Sequence, residues 1–370
     1  MVKVVVGDIF ESQAQTLVNT VNCVGVMGKG IALEFKKRFP EMFADYQARC
    51  ARNEVRVGYP YLYKSLVPPW VLNFPTKRHW RSLSRVKDIT KGLDYLVQHY
   101  REWGITSLAV PPLGCGQGGL EWRVMGPILY GALSRMDIPV ELYVPAGTPD
   151  WQLDADFLGS LSSPTRGRNR SEETMEFNPA WLVLVEILKR LEEEPYHWPI
   201  GRVTFQKIVY VSTREGIPTG LQFGRSSYGP FSPGLKALMT RLVNMGLICE
   251  KPLGRMIEVR VGPAYKDVRT KYQAQIEQWG GVIDRIVSLF MRMKTNQAEI
   301  VATVLYVNSE LMERTGEKPT ERDVLNEVML WKQRRRPPLD ENEVAVAIRN
   351  LAALGWAQVR ASMNLRLYGE

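Results

Sequence analysis

Residues Asn19–Lys37 read NTVNCVGVMGKGIALEFKK. The stretch opens as an apolar, β-branched run, crosses three glycines in six residues (GVMGKG), and continues as a helix with Ile31, Phe35 and Phe39 on one face. A glycine-rich turn that enters a helix brings backbone amides and the positive end of the helix dipole to one point, which suits a phosphate. A nucleotide-triphosphate loop places Ser or Thr after its lysine, and GVMGKG does not. A dinucleotide fold places GxGxxG after its first strand, whereas here that strand runs into Gly7-Asp8-Ile9. Both familiar phosphate folds are excluded.

A second loop of the same kind follows the apolar run SLAVPP. Residues Gly114–Gly119 are GCGQGG, four glycines in six, and they too lead into a helix (LEWRVMGPILYGALSRM). Around these loops the first half alternates strand and helix. VKVVVGD, QTLVNTVN, WVLNFP, SLAVPP and VELYVP read as strands; GIALEFKKRFPEMFADYQAR and VKDITKGLDYLVQHYREWG read as single helices. This pattern predicts an α/β sheet covered on both faces, with ligands beyond the carboxyl ends of its strands. Two amide-rich loops facing one cleft suit a diphosphate, one on each side.

Composition limits the rest. The 370 residues suffice for at least two domains, with 45% hydrophobic and 24% charged residues. MVKVVVGDIF reads as a strand rather than a signal peptide, and no apolar run reaches the roughly 18 residues of a membrane span. Cys23, Cys50, Cys115 and Cys249 show no paired spacing, so neither a zinc site nor a disulfide framework is expected, and the expected setting is the reducing cytoplasm. The net charge of +9 points to a polyanionic partner. The segment GSLSSPTRGRNRS (159–171) lacks hydrophobic periodicity and reads as a linker. The expected organisation is a domain over 1–155, a linker over 156–175 and a C-terminal region over 176–370.

The set GDIF, NTVNCVGVMGKGIALEFKKRFP and PPLGCGQGGLEW resembles a macrodomain, the ADP-ribose-binding fold, over about the first 150 residues. The resemblance implies a mixed sheet in an α/β/α sandwich. It implies that Asp8 and Ile9 hold the adenine, and that Asn22, Gly28, Lys29, Gly30, Ile31 and Ala32 line one side of the diphosphate and distal ribose. It places Thr76, Gly114, Cys115, Gly116, Gln117, Gly118, Gly119 and Leu120 on the other side. ADP-ribose is then ligand or product, with no cofactor and no metal.

The segment VLNFPTKRHW (71–80) resembles one branch of that family, which includes the terminal ADP-ribose protein glycohydrolase and the DarG-type antitoxins. In this branch a lysine, here Lys77, acts at the anomeric carbon of the distal ribose, with Asn22 a possible helper. Unprotonated, Lys77 attacks that carbon; protonated, it stabilises the leaving group; the sequence leaves both open. The protein-directed enzyme has an aspartate in its second glycine loop, where this chain has Gly118. The resemblance is therefore closer to the DNA-directed antitoxins, whose substrate is ADP-ribosylated thymidine in single-stranded DNA and whose partner is a DarT-type toxin. His79 and Trp80 are candidate platforms for a DNA base.

Residues 176–370 read as mainly helical with two winged-helix-like units, about 176–264 and 296–370. LKALMTRLVNMGLICEKPLGRMIEVRVGP gives a helix and hairpin turning at Leu253-Gly254-Arg255. EVAVAIRNLAALGW followed by AQVRASMNLRLYG gives a weaker second copy, and Tyr265 to about Met293 reads as one connecting helix. The stretch YGPFSP resembles a domain recurrent in antitoxins. Arg225 and Arg334-Arg335-Arg336 are candidate phosphate contacts. The expected function is an ADP-ribosyl glycohydrolase antitoxin without a membrane association. The alternatives are a non-catalytic ADP-ribose reader joined to a DNA-binding regulator, and a glycohydrolase of protein-linked ADP-ribose.

Overall fold

A computed structural model describes residues 1–160, 177–254 and 256–362. Most of the expected linker, Arg255 of the hairpin turn and the end of the second expected hairpin lie outside the described residues. The chain clusters into two compact units. The first runs to residue 177 and also takes in Lys236–Asn244; the second holds the remainder.

The first unit is built on one six-stranded sheet, β1 (Val2–Val5), β2 (Thr16–Asn22), β3 (Tyr61–Tyr63), β4 (Trp70–Lys77), β5 (Leu108–Val110) and β6 (Val140–Tyr143). Its order is β1-β6-β5-β2-β4-β3. Every pairing is parallel except β3 with β4, so the sheet is mixed. The helices are α1 (Gly30–Arg38), α2 (Pro40–Ala51), α3 (Val86–His99), α4 (Trp122–Leu133) and the short α5 (Ala155–Leu158). A parallel strand covered on both faces must be apolar on both, and β2 is: Leu17 and Val21 pack in a core with Phe35, Met42 and Tyr46 of α1 and α2, while Val18 packs in the opposite core with Ile89, Leu93, Met125 and Leu129 of α3 and α4.

Two readings of the sequence change here. The single helix expected over 30–50 is two, broken at Phe39, whose backbone (φ −129°, ψ 68°) leaves the helical region. Pro40 is the cause: its ring disfavours helical geometry in the residue before it, and it has no N–H to donate. Strand β3 was not expected at all. It is three residues long and lies at the edge, paired only with β4, too short to show a period.

The second unit is helical apart from one hairpin. Its helices are α6 (Ala180–Glu193), α7 (Arg202–Arg214), α9 (Tyr265–Lys271), α10 (Gln273–Glu277), α11 (Gly280–Phe290), α12 (Thr295–Thr315), α13 (Glu321–Lys332) and α14 (Glu341–Ala353); α8 (Leu235–Asn244) clusters with the first unit from Lys236 onward. The connecting helix expected from Tyr265 is thus three short ones, the last starting at Gly280-Gly281. Strands β7 (Ile248–Leu253) and β8 (Met256–Val261) form the expected antiparallel hairpin. At the second expected hairpin the described residues show a single bridge, Thr320 to Arg360.

A buried ionic cluster holds the YGPFSP turn in this unit. Lys332 Nζ donates to Glu299 Oε1 (2.8 Å) and to Ser227 O (2.8 Å), and Arg335 Nε donates to the same carboxylate (3.1 Å). Lys207 Nζ, fully buried on α7, donates to Pro230 O (2.8 Å). Burial, and then the neighbouring Lys332 cation, bring the Lys207 ammonium down to about 7. A depressed lysine contributes stability that is complete above its unfolded pKa of about 10.4 and is lost as pH falls through the folded value near 7. Denaturant melts of wild type and Lys207→Met should therefore differ with pH, the balance moving toward wild type as pH rises from 7 to about 10. A pH-independent difference would refute the assignment.

Candidate functional site: a cleft beyond three parallel strands

The sheet order sets β2 between β4 and β5. The three strands are parallel, so the segments that follow Asn22, Lys77 and Val110 leave the sheet at the same edge and side by side. These are the first glycine loop, the Lys77 loop and the second glycine loop. Asp8 follows β1, beyond β6 at the far end of the same edge; it is exposed and its Oδ1 accepts from Phe10 N (3.0 Å), while Ile9 beside it is buried. The topology therefore lays the expected adenine contact and the expected ribose contacts along one line.

Lys77 is aimed by an irregularity in the ladder. Val21 pairs with Pro75, but Asn22 pairs with Lys77, so Thr76 is the extra residue of a bulge. Bulges re-aim side chains beside active sites, because the extra residue turns the strand after it. Cys23 N then donates to Arg78 O (3.2 Å), binding the exit of β2 to the exit of β4. Thr76 is buried, its hydroxyl donating to Val21 O (3.4 Å). Lys77, half-buried, extends its Nζ to Gln117 O (3.0 Å) and Trp80 O (3.4 Å), so it reaches across to the second glycine loop.

Asn22 is committed to the first loop. Its Oδ1 accepts from Val24 N (3.0 Å) and Val26 N (3.4 Å), and its Nδ2 donates to Val26 O (2.5 Å). The hydroxyl of Tyr46, fully buried on α2, lies 3.0 Å from Asn22 O and 3.1 Å from Asn22 Oδ1. Asn22 thus shapes the turn that carries Gly28, Lys29 and Gly30, all exposed, into α1. Helix α1 begins at Gly30 and its N-cap, Lys29, makes no side-chain capping bond, so its first amides face the cleft side of the loop uncapped by that residue. Ile31 and Ala32 are half-buried on its first turn. Tyr46 escaped the sequence reading, since a tyrosine on an amphipathic helix reads only as core.

In the second loop, Gly114, Gly118 and Leu120 are buried, Cys115 and Gly119 half-buried, and Gly116 and Gln117 exposed. Gly118 is required by close approach. A Cβ added there would collide with Ser84 Oγ and with Gly114 O, and Ser84 N donates to Gly118 O (3.0 Å). The place where the protein-directed branch carries its aspartate is thus closed by Ser84, a buried residue whose hydroxyl has no hydrogen-bond partner. Nucleophilic cysteine chemistry is disfavoured as well. Burial raises the Cys23 thiol to about 11 and the Cys115 thiol to about 12, leaving both protonated near neutrality.

His79 and Trp80 stack with ring centroids 5.5 Å apart, and the Arg81 guanidinium lies 4.4 Å over the Trp80 ring. Trp80 is 43% exposed, so it is a surface platform and not a core residue. Burial and Arg81 lower the His79 imidazole below its usual range, which favours the neutral ring. Among the described residues no group of three or more His, Cys, Asp or Glu is arranged to hold a metal, and no helix is long and apolar enough to cross a membrane. Two variants test this geometry. Asn22→Ala should weaken ADP-ribose binding about tenfold by calorimetry, since the first loop loses its internal bonds. Gly118→Asp should lose the second loop's shape and with it binding, rather than gain a catalytic acid; unaltered affinity would contradict the collision.

Comparison with known proteins agrees with this geometry. Residues 18–128 match the Macro domain family. A DNA ADP-ribosyl transferase–DNA ADP-ribosyl glycohydrolase fusion protein of Thermosipho africanus is 45% identical over 172 residues, 41% of this chain and 44% of that protein. The DNA ADP-ribosyl glycohydrolase of Mycobacterium tuberculosis is 35% identical over 246 residues, 63% of this chain and 64% of that protein. The solved macrodomain of Mycobacterium tuberculosis DarG is 45% identical, covering 40% of this chain and 99% of its own, with a TM-score of 0.38. The chain thus spans 44% and 64% of the length of the two curated relatives. With the matched residues running from β2 into α4, through both glycine loops and Lys77, the first unit of this chain is a macrodomain.

Proposed function

We propose that the macrodomain hydrolyses the N-glycosidic bond between ADP-ribose and a thymidine base of single-stranded DNA, and that Lys77 is the residue on which the reaction depends. The observation that carries this reading is the position of Lys77 Nζ, held between Trp80 O and Gln117 O where the two catalytic-side loops meet. The relatives named as DNA ADP-ribosyl glycohydrolases support the substrate class. The two glycine loops take the diphosphate through their amides, Asp8 takes the adenine, and the exposed Trp80–His79 pair stacks on a neighbouring base.

Water is the final acceptor. Its oxygen bonds to the anomeric carbon as the bond from that carbon to the base nitrogen breaks, and the water proton passes to the base. Lys77 acts here as a donor that stabilises charge developing on the departing base. A lysyl adduct would need a group in the second loop to release it, and Gly118 leaves no room for a carboxylate. His79, favoured as the neutral ring, is the nearest candidate to take up a proton from water.

The second unit is proposed to restrain an ADP-ribosyltransferase toxin. The fusion of transferase and glycohydrolase in one relative supports such a pairing. Direct phosphate binding by the expected arginines is disfavoured by their ion pairs: Arg225 with Glu310 and Glu327, Arg335 with Glu299.

Release of ADP-ribose from a thymidine-modified single-stranded oligonucleotide should occur with wild type and fall at least about 100-fold in Lys77→Ala, with ADP-ribose binding kept in both. Lys77→Arg should retain measurable release, because it keeps a donor without a nucleophile. Binding without release by wild type would identify a reader instead.

A further inference from the structure

We infer that helix α8 is a working part of the macrodomain cleft, with Asn244 and Lys236 as positioning residues for its two catalytic-side loops. Residues Lys236–Asn244 cluster with the first unit, although they lie well over a hundred positions after its second glycine loop in the chain. Lys236, Thr240 and Asn244 recur every fourth residue and so share one face of the helix.

Each of them meets a loop. Asn244 Oδ1 accepts from Val86 N (2.8 Å), the first residue of α3. The N-cap of α3 is Arg85, which makes no side-chain capping bond, so Asn244 supplies the missing acceptor from a distant segment. Its Nδ2 donates to Ser84 O (3.3 Å) and to Thr240 O (2.8 Å). The segment so held is the one whose Ser84 N donates to Gly118 O, and it ends the loop that begins at Lys77.

On the other side, Lys236 Nζ donates to Gly116 O (3.4 Å), next to the Gln117 carbonyl that accepts from Lys77. Arg241 Nε donates to Glu121 Oε1 (2.8 Å), and Glu121 is the N-cap of α4. Gly119 stands at φ +80°, and an added Cβ would lie 2.7 Å from Thr240 Oγ1, so the loop's last glycine admits the helix as well as the turn.

The consequence is an orientation of peptide planes. In a trans peptide the carbonyl and the following N–H point opposite ways. Drawing Gly116 O toward Lys236 and Gln117 O toward Lys77 turns the amides of Gln117 and Gly118 away from both lysines, in the sense an anion nest requires. Helix α8 therefore presets the loop that the proposed function assigns to the diphosphate and distal ribose; the inference rests on that assignment only for its effect on catalysis.

The test uses the full chain with Asn244→Ala, Asn244→Asp and Lys236→Met. Aspartate keeps an acceptor for Val86 N and its charge suits a helix N-terminus, so it should rescue what alanine loses. Hydrogen exchange read by mass spectrometry should show faster uptake at residues 84–86 and 114–121 in Asn244→Ala, and at 114–121 in Lys236→Met. ADP-ribose affinity should fall roughly five- to tenfold in both, as for loss of one cap or one charge-assisted bond. Release from the modified oligonucleotide should fall in step, with Asn244→Asp near wild type. Wild-type uptake and affinity in both Asn244→Ala and Lys236→Met, or no rescue by aspartate, would overturn the inference. Exchange and ADP-ribose binding need no turnover, so they decide the brace even if wild type releases nothing.

Discussion

The site depends on one strand pairing. Because β2 hydrogen-bonds in parallel to both β4 and β5, three loops far apart in sequence emerge together. Parallel pairing demands crossovers, which here are α1 with α2 and β3, then α3, and each crossover helix buries one face against the sheet. The core is thus the price of the arrangement as well as its support. Within it Asn19 Nδ2 donates to Asn73 Oδ1 (2.9 Å) and Asn73 Nδ2 to Tyr61 OH (3.2 Å), a buried polar chain across β2, β4 and β3. Such a chain favours this register, since a slip would leave amides unpaired in an apolar layer.

At the cleft, regular structure gives way where chemistry is needed. The ladder slips at Asn22 and Lys77, and the slip sends Asn22 into the first glycine loop and Lys77 toward the second. Both loops are ordered by side chains beneath them: Tyr46 and Asn22 under the first, Ser84 under the second. Backbone amides can face a diphosphate only when the carbonyls find partners elsewhere. Lys77 and Lys236 provide these at Gln117 and Gly116. The same lysine that serves the proposed reaction therefore also helps to shape the ligand loop.

The second unit follows a different logic. It buries charge rather than amides, and Glu299, Lys332, Arg335 and Lys207 gather under the YGPFSP turn. Tyr228 and Phe231 of that turn stay exposed, at 58% and 43%, while its carbonyls are tied down from within. Breaking such a cluster leaves an uncompensated buried charge, so its members are interdependent.

Much of the first unit was legible in the sequence because its signals are local. The periods of β2, α3 and α4, the glycine clusters and the NFPTK segment each lie within one short window. What sequence could not reveal involves partners brought together from afar. Pro40 was visible, yet its effect was missed because apolar periodicity runs on through it. Strand β3 is too short to show a period, and it exists because β4 offers an open edge. Tyr46, Ser84 and Asn244 carry no local signature, since a hydroxyl or amide becomes a positioning group only when folding sets it against a loop. Glycine at 118 and 119 could be read as turn chemistry, but the collisions that forbid a side chain there come from Ser84 and Thr240. The sequence by itself determined which elements form and which residues carry the chemistry, because propensity and motif act over a few residues. Tertiary structure alone decided which side chains hold the loops in shape, because those contacts join residues that only the folded chain makes neighbours.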